Sequence, residues 1–352
     1  MTPIPDQTAR AWADVTLAAI VANARTVATV SEARLLPMLK ANGYGVGAVA
    51  VARALEPLDP WGYGVATVEE GAELRAAAIT RPILVFTPLH PTLVGHHLRD
   101  DLRPVIGDVE ALRAWRAAGA RPFHIEIDTG MSRTGFRWNA EPSWRELLRE
   151  APGFEGAFTH FHSADQDPAS VAVQWERFQS VLAGLRGRSL LAHAANSAAA
   201  LVGRTYAGDL VRPGIFLYGG GAAEYAPQPV VRLQARVVAL RDLRAGEGVS
   251  YGATWKAPQA GRIATLGIGY ADGLLRSLGN VGLVELGGRV VRIAGRVTMD
   301  FVMVPGEART AIGDVATVFG GLVSLDDQAQ RGGTIGYELL TAMGPRVHRR
   351  YL

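Results

Sequence analysis

The chain contains no cysteine and only two lysines, Lys40 and Lys256; the rest of its 36 basic side chains are arginines. The missing thiols exclude cysteine nucleophiles, thiolate zinc sites, iron–sulfur clusters and disulfides. A disulfide-stapled secreted fold goes with them, although a lack of cysteine does not by itself fix a compartment. A Walker loop needs lysine directly after glycine, whereas these lysines follow Leu39 and Trp255. An arginine-for-lysine skew is first a matter of genome composition, but it has a chemical consequence. Guanidinium does not give up its proton at ordinary pH. Only Lys40, Lys256 or the N-terminus could supply a reactive amine.

Long apolar runs are also missing. None approaches the ~18 residues of a membrane span. The N-terminus carries Asp6 and Asp14 and lacks a basic stretch followed by an apolar core, so no signal peptide is expected. The reading is a cytoplasmic protein without a membrane partner. The net charge is +3 and the pI 9.3, yet the arginines are dispersed, densest at Arg346, Arg349 and Arg350. No basic stripe interleaved with aromatics is present, so no nucleic-acid partner is expected. The length of 352 residues suggests two domains, and 48% hydrophobic with 20% charged residues fits a globular protein.

Short apolar runs alternate with helical patterns through the first 220 residues. The strand-like runs are 35–39, 63–66, 83–86, 104–106, 123–127, 156–161, 190–192 and 210–217. Amphipathic stretches such as 68–78, 109–118 and 171–185 lie between them, and a helical stretch over 17–30 precedes them. Eight such units predict an α/β fold, an eight-stranded parallel (β/α)8 TIM-type barrel; a doubly wound sheet is the alternative. Past Gly219-Gly220-Gly221 and Pro227/Pro229 the pattern changes. Strands are expected over 230–240, 262–268, 281–285, 290–293, 301–304 and 315–319, with a tight hairpin at Leu286-Gly287-Gly288-Arg289. The division is therefore a barrel over 15–225 and a C-terminal all-β domain over 226–352, after a polar, mobile start over 1–9.

The chemistry begins at Met38-Leu39-Lys40-Ala41-Asn42-Gly43-Tyr44-Gly45. A strand delivers Lys40 at its C-terminal end, where barrels keep catalytic groups. A desolvated amine there suits a Schiff base to a carbonyl or to pyridoxal phosphate; the plain alternative is a surface lysine in a turn. After the seventh strand comes His193-Ala194-Ala195-Asn196-Ser197, and the eighth carries Arg212-Pro213-Gly214-Ile215. Loops at these positions commonly bind phosphate in barrels. Ser197, Gly214 and Ile215 fit that role, with a helix cap at Ser197 and a turn glycine as the plain readings. The fifth strand ends in Glu126-Ile127-Asp128-Thr129-Gly130-Met131-Ser132-Arg133, and the sixth in Thr159-His160-Phe161-His162. No other His/Asp cluster completes a site with His160 and His162, so no metal site is assigned. Tyr251 in Ser250-Tyr251-Gly252-Ala253-Thr254-Trp255 is either an acid/base or a packing tyrosine. No dinucleotide fingerprint is complete.

As a set, these motifs resemble the alanine racemase family from about Trp12 to the C-terminus. The resemblance implies a pyridoxal 5'-phosphate enzyme, a homodimer with sites completed by the partner subunit, whose 1–14 segment joins the β domain. It implies that Lys40 holds the cofactor as an imine and acts as one base, and that Tyr251 from the partner is the other. Racemisation needs a base on each face of a planar carbon. Arg212 would face the pyridine nitrogen, which an arginine leaves unprotonated, and His160 would pack on the ring. Tyr44, Ser197, Gly214 and Ile215 would hold the phosphate, with Asn196 beside it. Arg133 would contact the cofactor phenolate and the substrate carboxylate. Met299 and Asp300 would line the substrate site, with Tyr270 at its entrance. Related barrel decarboxylases resemble this layout but use an acid at the ring nitrogen and a cysteine near the substrate; Arg212 and the lack of cysteine argue against them.

Three departures stand out. Glu126 occupies a position where many members carry a carbamylated lysine that orients the arginine matching Arg133. Pro345 aligns where some members place a phosphate-contacting tyrosine, and Tyr337 is not assigned as its substitute. Val46 replaces a frequent histidine. The expected function is racemisation of alanine, supplying D-alanine for peptidoglycan. A serine or broad-specificity racemase of the same fold, or a non-catalytic pyridoxal-phosphate-binding protein, is the alternative.

Overall fold

The computed structural model describes residues 9–140, 143–149, 151–185 and 190–352. Of the expected mobile start, residues 1–8 lie outside the described residues.

Six parallel strands form the continuous part of the N-terminal barrel: Tyr63–Val65, Ile83–Pro88, Arg103–Ile106, Phe123–Asp128, Phe154–Phe158 and Leu191–His193. The remaining two, the eighth, Leu210–Val211, and the first, Arg34–Leu35, pair in parallel with each other. Backbone bonds close the ring on both sides. Asp209 and Arg212 donate to Ala192 and Ala195, while Leu39 and Gly64 donate to Gly64 and Pro37. The count of eight holds, with three corrections. The first strand is shorter than 35–39, because Pro37 has no amide to extend the ladder. The eighth stops at Val211 instead of running through 217. Pro213 breaks it in the same way, and Ile215–Tyr218 forms a 3-10 turn. The sixth barrel strand starts at Phe154 and ends at Phe158, so Thr159-His160-Phe161 leaves the sheet. This places His160 in a loop at the barrel mouth.

The first helix, Leu17–Ser31, buries Ile20, Ala24 and Val27 on one face at helical spacing. Asn23 on that face is buried but satisfied. Its side chain accepts from the Gln228 amide and donates to the Gln228 carbonyl, tying the helix to the segment that leaves the barrel.

The C-terminal part is a β domain that also carries two short helices, Leu325–Gly332 and Gly336–Thr341. Its main sheet runs, in spatial order, Arg289–Arg292, Leu283–Leu286, Val315–Phe319, Val231–Leu243, Ala11–Val15 and His348–Tyr351. Gly261–Leu266 pairs with the second half of the long Val231–Leu243 strand and with Val302–Gly306. Ala11–Val15 lies antiparallel to Val231–Leu243 and parallel to His348–Tyr351, so both ends of the described chain meet in one sheet. The Gly287-Gly288 loop joins its strands as a two-residue hairpin with both φ positive, at 61° and 78°.

Candidate active site

One pocket at the C-terminal end of the barrel strands is lined by Met38, Lys40, Tyr44, Phe86, Arg133, His160, Asn196, Ser197, Arg212, Gly214, Ile215 and Tyr337. Nine of the positions singled out in the sequence therefore meet, although they come from five separate segments.

Lys40 opens a left-handed turn. Ala41, Asn42, Gly43 and Tyr44 all have φ between 53° and 60°, a conformation that costs non-glycine residues about 1–2 kcal/mol each. Local bonds hold it there. Glu70 accepts from the Ala41 amide at 2.6 Å, and the Asn42 side chain accepts from the Ala48 amide at 3.0 Å. Gly45, at φ 81°, cannot carry a side chain: a Cβ would lie 2.2 Å from the Leu340 carbonyl. Strain of this kind, held by surrounding contacts, is typical of functional turns. Desolvation lowers the Lys40 pKa; Arg133 lowers it further, Glu70 opposes the shift, and Arg212 adds to it. The amine is thus easier to deprotonate than a surface lysine.

Arg212 is 3% exposed and held from several sides. It donates to the carbonyls of Thr159 and Ala194 at 2.8 and 2.9 Å, to His193 Nδ1 at 2.9 Å and to His160 Nδ1 at 3.2 Å. Its guanidinium also sits 5.1 Å from the Phe158 ring centre. Burial lowers its pKa to about 9, which leaves it cationic at neutral pH. Behind it runs a buried chain. His193 Nε2 meets His124 Nδ1 at 2.9 Å, His124 Nε2 meets Glu155 at 3.2 Å, and Arg103 donates to the same Glu155 oxygen at 2.7 Å. Desolvation lowers the pKa of both histidines, so both rings are neutral. Arg212 can only donate; His193 must therefore accept at Nδ1 and donate from Nε2, and His124 must pass the pattern on to Glu155. The chain fixes the plane of Arg212. His124, Glu155 and Arg103 were missed in the sequence, since only strand register makes them neighbours.

His160 is neutral as well. Burial, with Arg212, Arg133 and Lys40 around it, lowers its pKa to about 3. Glu126 is 5% exposed, accepts from the Thr134 hydroxyl at 2.6 Å and lies 3.8 Å from the Arg133 guanidinium. The helix cap, the plain reading of Ser197, belongs to Asn196, whose side chain accepts from the Ala199 amide. Ser197 Oγ instead accepts from the Gly214 amide at 2.9 Å, which leaves its hydroxyl proton for another acceptor. Gly214 also makes room for Tyr44: a Cβ there would lie 2.2 Å from the Tyr44 hydroxyl. Hydroxyls of Ser197 and Tyr44 around a bare backbone form a cradle that suits a phosphate, and Lys40 stands at the same pocket. The residues fit pyridoxal phosphate.

Tyr251, Tyr270, Met299 and Asp300 do not line this pocket. They stand on loops of the β domain, with Tyr251 71% exposed. The Asp300 carboxylate pairs with Arg346 at 3.0 Å, and its carbonyl accepts from Arg10. Pro345 is also absent from the lining, whereas Tyr337, which sequence reasoning left aside, is present.

Residues 15–222 match the alanine racemase N-terminal domain family and residues 230–351 the alanine racemase C-terminal domain family. The chain belongs to the alanine racemase family. It is 37% identical over 367 residues to the alanine racemase of Carboxydothermus hydrogenoformans, covering 97% of this chain and 99% of that protein. The fold superposes on the biosynthetic alanine racemase of Pseudomonas aeruginosa with a TM-score of 0.89 and 35% identity, over 98% of this chain and 100% of the other. The alanine racemase of Bartonella henselae, solved with covalently bound pyridoxal phosphate, has a TM-score of 0.89 and 29% identity, over 98% and 100%. Alanine racemases therefore share the whole architecture, the β domain included.

Proposed function

We propose that this chain is a pyridoxal-phosphate-dependent alanine racemase, an isomerase that interconverts L- and D-alanine. The observation that carries this reading is the single pocket that gathers Lys40, Arg212, Ser197 and Tyr44 in a chain of this family. When bound, pyridoxal phosphate joins the amino acid's nitrogen and acidifies its Cα–H.

The chain's own residues do the rest. Lys40 Nζ, with its lowered pKa, moves the proton on one face of Cα. A single base would tend to return the proton to the face it came from, so a second is needed opposite; Tyr251 of the partner subunit takes that part. The exposure of Tyr251, Tyr270 and Met299 supports a homodimer, because a site shared between subunits needs such residues presented outward. Arg212, locked by His193, would hold the ring nitrogen of the cofactor and, as a guanidinium that does not give up its proton, would leave that nitrogen unprotonated. This limits electron withdrawal and disfavours side reactions. Neutral His160, which lines the pocket, would pack on the ring. Ser197, Tyr44, Gly214 and Ile215, with Asn196 beside them, hold the phosphate. Arg133 orients the substrate carboxylate, and Glu126 stands in for a carbamylated lysine by holding Arg133, so activity does not depend on carbon dioxide. Met299 and Asp300 of the partner line the substrate side. The enzyme works in the cytoplasm and supplies D-alanine for peptidoglycan; among the described residues no helix is long and apolar enough to cross a membrane.

Incubation of the purified holoenzyme with L-alanine in deuterium oxide tests the function. Loss of optical rotation with deuterium at Cα is expected. Absence of both exchange and D-alanine would overturn the reading.

A further inference from the structure

We propose that Glu70 is a positioning residue for Lys40: one carboxylate oxygen holds the Ala41 amide, and with it the left-handed turn, while its negative charge keeps the neighbouring amine able to carry a proton. The inference rests on the reading of Lys40 as the amine that holds the cofactor and moves the proton.

Glu70 sits in the first turn of the helix Val68–Ala76, where Thr67 caps the N-terminus. A capping glutamate needs only to reach back to the backbone at the cap. Here the Oε2 oxygen does that, accepting from the Ala66 amide at 2.7 Å and the Thr67 amide at 3.4 Å. The Oε1 oxygen is left for another donor. It accepts from the Ala41 amide, 29 residues away, at 2.6 Å, the shortest of the three bonds. That amide belongs to the residue directly after Lys40. The far end of the turn is held from the β domain. Arg349 Nε donates to the Gly45 carbonyl at 2.9 Å, and the Tyr351 hydroxyl donates to the Val46 carbonyl at 3.0 Å. An anion thus fixes the amide end of the turn and a cation its carbonyl end, so Glu70 secures the part that carries Lys40.

The charges around the amine give the carboxylate a second task. Arg133 and Arg212 line the same pocket, and both oppose a proton on Lys40, as burial does. His160, Tyr44 and Tyr337 line it too but are neutral: burial lowers the pKa of the histidine and raises those of the phenols. Glu126 lies 3.8 Å from Arg133, whereas Glu70 acts on the amine itself, in the sense opposite to the arginines. A base that takes a proton from one face of Cα must also hold it long enough to give it back. Without Glu70, two guanidiniums and burial would make the amine a poorer proton carrier.

The test exploits the two-lysine count. Full-length protein freed of cofactor is treated with trace acetic anhydride over a series of pH values. Acetylation of Lys40 is read by mass spectrometry against Lys256, which is exposed in the same chain. Only the deprotonated amine reacts, so the ratio follows the protonation of Lys40. Glu70→Gln is nearly isosteric and uncharged; it should lower the Lys40 titration midpoint by about half a pH unit or more. Thr67→Ala weakens the cap but spares the groups that bond Ala41. It should lower stability in urea and leave the Lys40 titration at the wild-type value. An unchanged titration in Glu70→Gln would overturn the inference. So would a raised midpoint, which would mean that the turn had merely loosened into solvent, and so would an equal fall in Thr67→Ala, which would mark a helix-cap effect. Pyridoxal 5'-phosphate separates the two levels. Added to wild type before labelling, it should protect Lys40 and leave Lys256 reactive. Should Lys40 stay unprotected, the reading of Lys40 fails as well; should it be protected while Glu70→Gln titrates like wild type, only Glu70 is misassigned.

Discussion

Lys40 and Lys256 share a side chain but not an environment. Lys40 sits in the pocket with a lowered pKa, while Lys256 lies exposed on the short strand Trp255–Lys256. Arginine can replace a lysine in solvation and ion pairing but cannot form an imine. Lys40→Arg should therefore abolish the imine absorbance of the holoenzyme, and Lys256→Arg should leave it intact; a spectrum of each purified variant decides. Glu126 makes a second prediction at this scale. Its carboxylate is nearly buried, with Arg133 and Thr134 as neighbours. Glu126→Gln keeps the shape and removes the charge, so kcat/KM for alanine should fall about tenfold, the size of one lost charge-assisted contact. Unchanged kinetics would sink the idea that Glu126 replaces a carbamylated lysine. Added bicarbonate should not alter the wild-type rate.

At the scale of elements, the decisive piece is the left-handed turn after Lys40. The glycines at 43, 45 and 47 pointed to a turn, and a turn is there. Its left-handed course through Ala41 and Asn42 could not be read, because alanine does not choose that conformation unaided. Glu70, from the helix Val68–Ala76 that follows the second barrel strand, supplies the missing support. Gly45→Ala would drive a Cβ into the Leu340 carbonyl at a positive φ. It should cost about 2 kcal/mol or more of stability, measured as a lowered urea midpoint with an unchanged slope. A wild-type midpoint would mean that the turn and the Gly336–Thr341 helix yield more easily than their contacts suggest. The eighth strand teaches the same lesson. Its apolar letters continue to Leu217, but Pro213 stops the ladder and turns Gly214 and Ile215 toward the pocket.

For the whole molecule, the prediction concerns subunits. A site built from Lys40 of one copy and Tyr251 of another should be restored by mixing two dead variants. Lys40→Arg and Tyr251→Phe, refolded together in equal amounts, should recover about a quarter of wild-type activity, since half the dimers are mixed and each mixed dimer has one intact site. No recovery would place both residues in one subunit's site. The barrel, the β domain and Lys40, Ser197, Gly214 and Ile215 were legible in the residues themselves because strand alternation, glycine turns and one lysine in a lysine-poor chain are local signals, whereas Tyr44, Asn196 and the role of Arg212 came only with the family resemblance. The amino-acid order by itself determined which chemistry was available: no thiol, one lysine at the end of a barrel strand, and an arginine rather than an acid on the eighth strand. Tertiary structure alone decided which residues act together. His124, His193 and Glu155 become a chain behind Arg212 through strand register. Tyr337 reaches Tyr44 because two domains pack against each other. Contacts between residues hundreds of positions apart depend on the closed barrel and its docked β domain, and no local pattern of side chains encodes that distance.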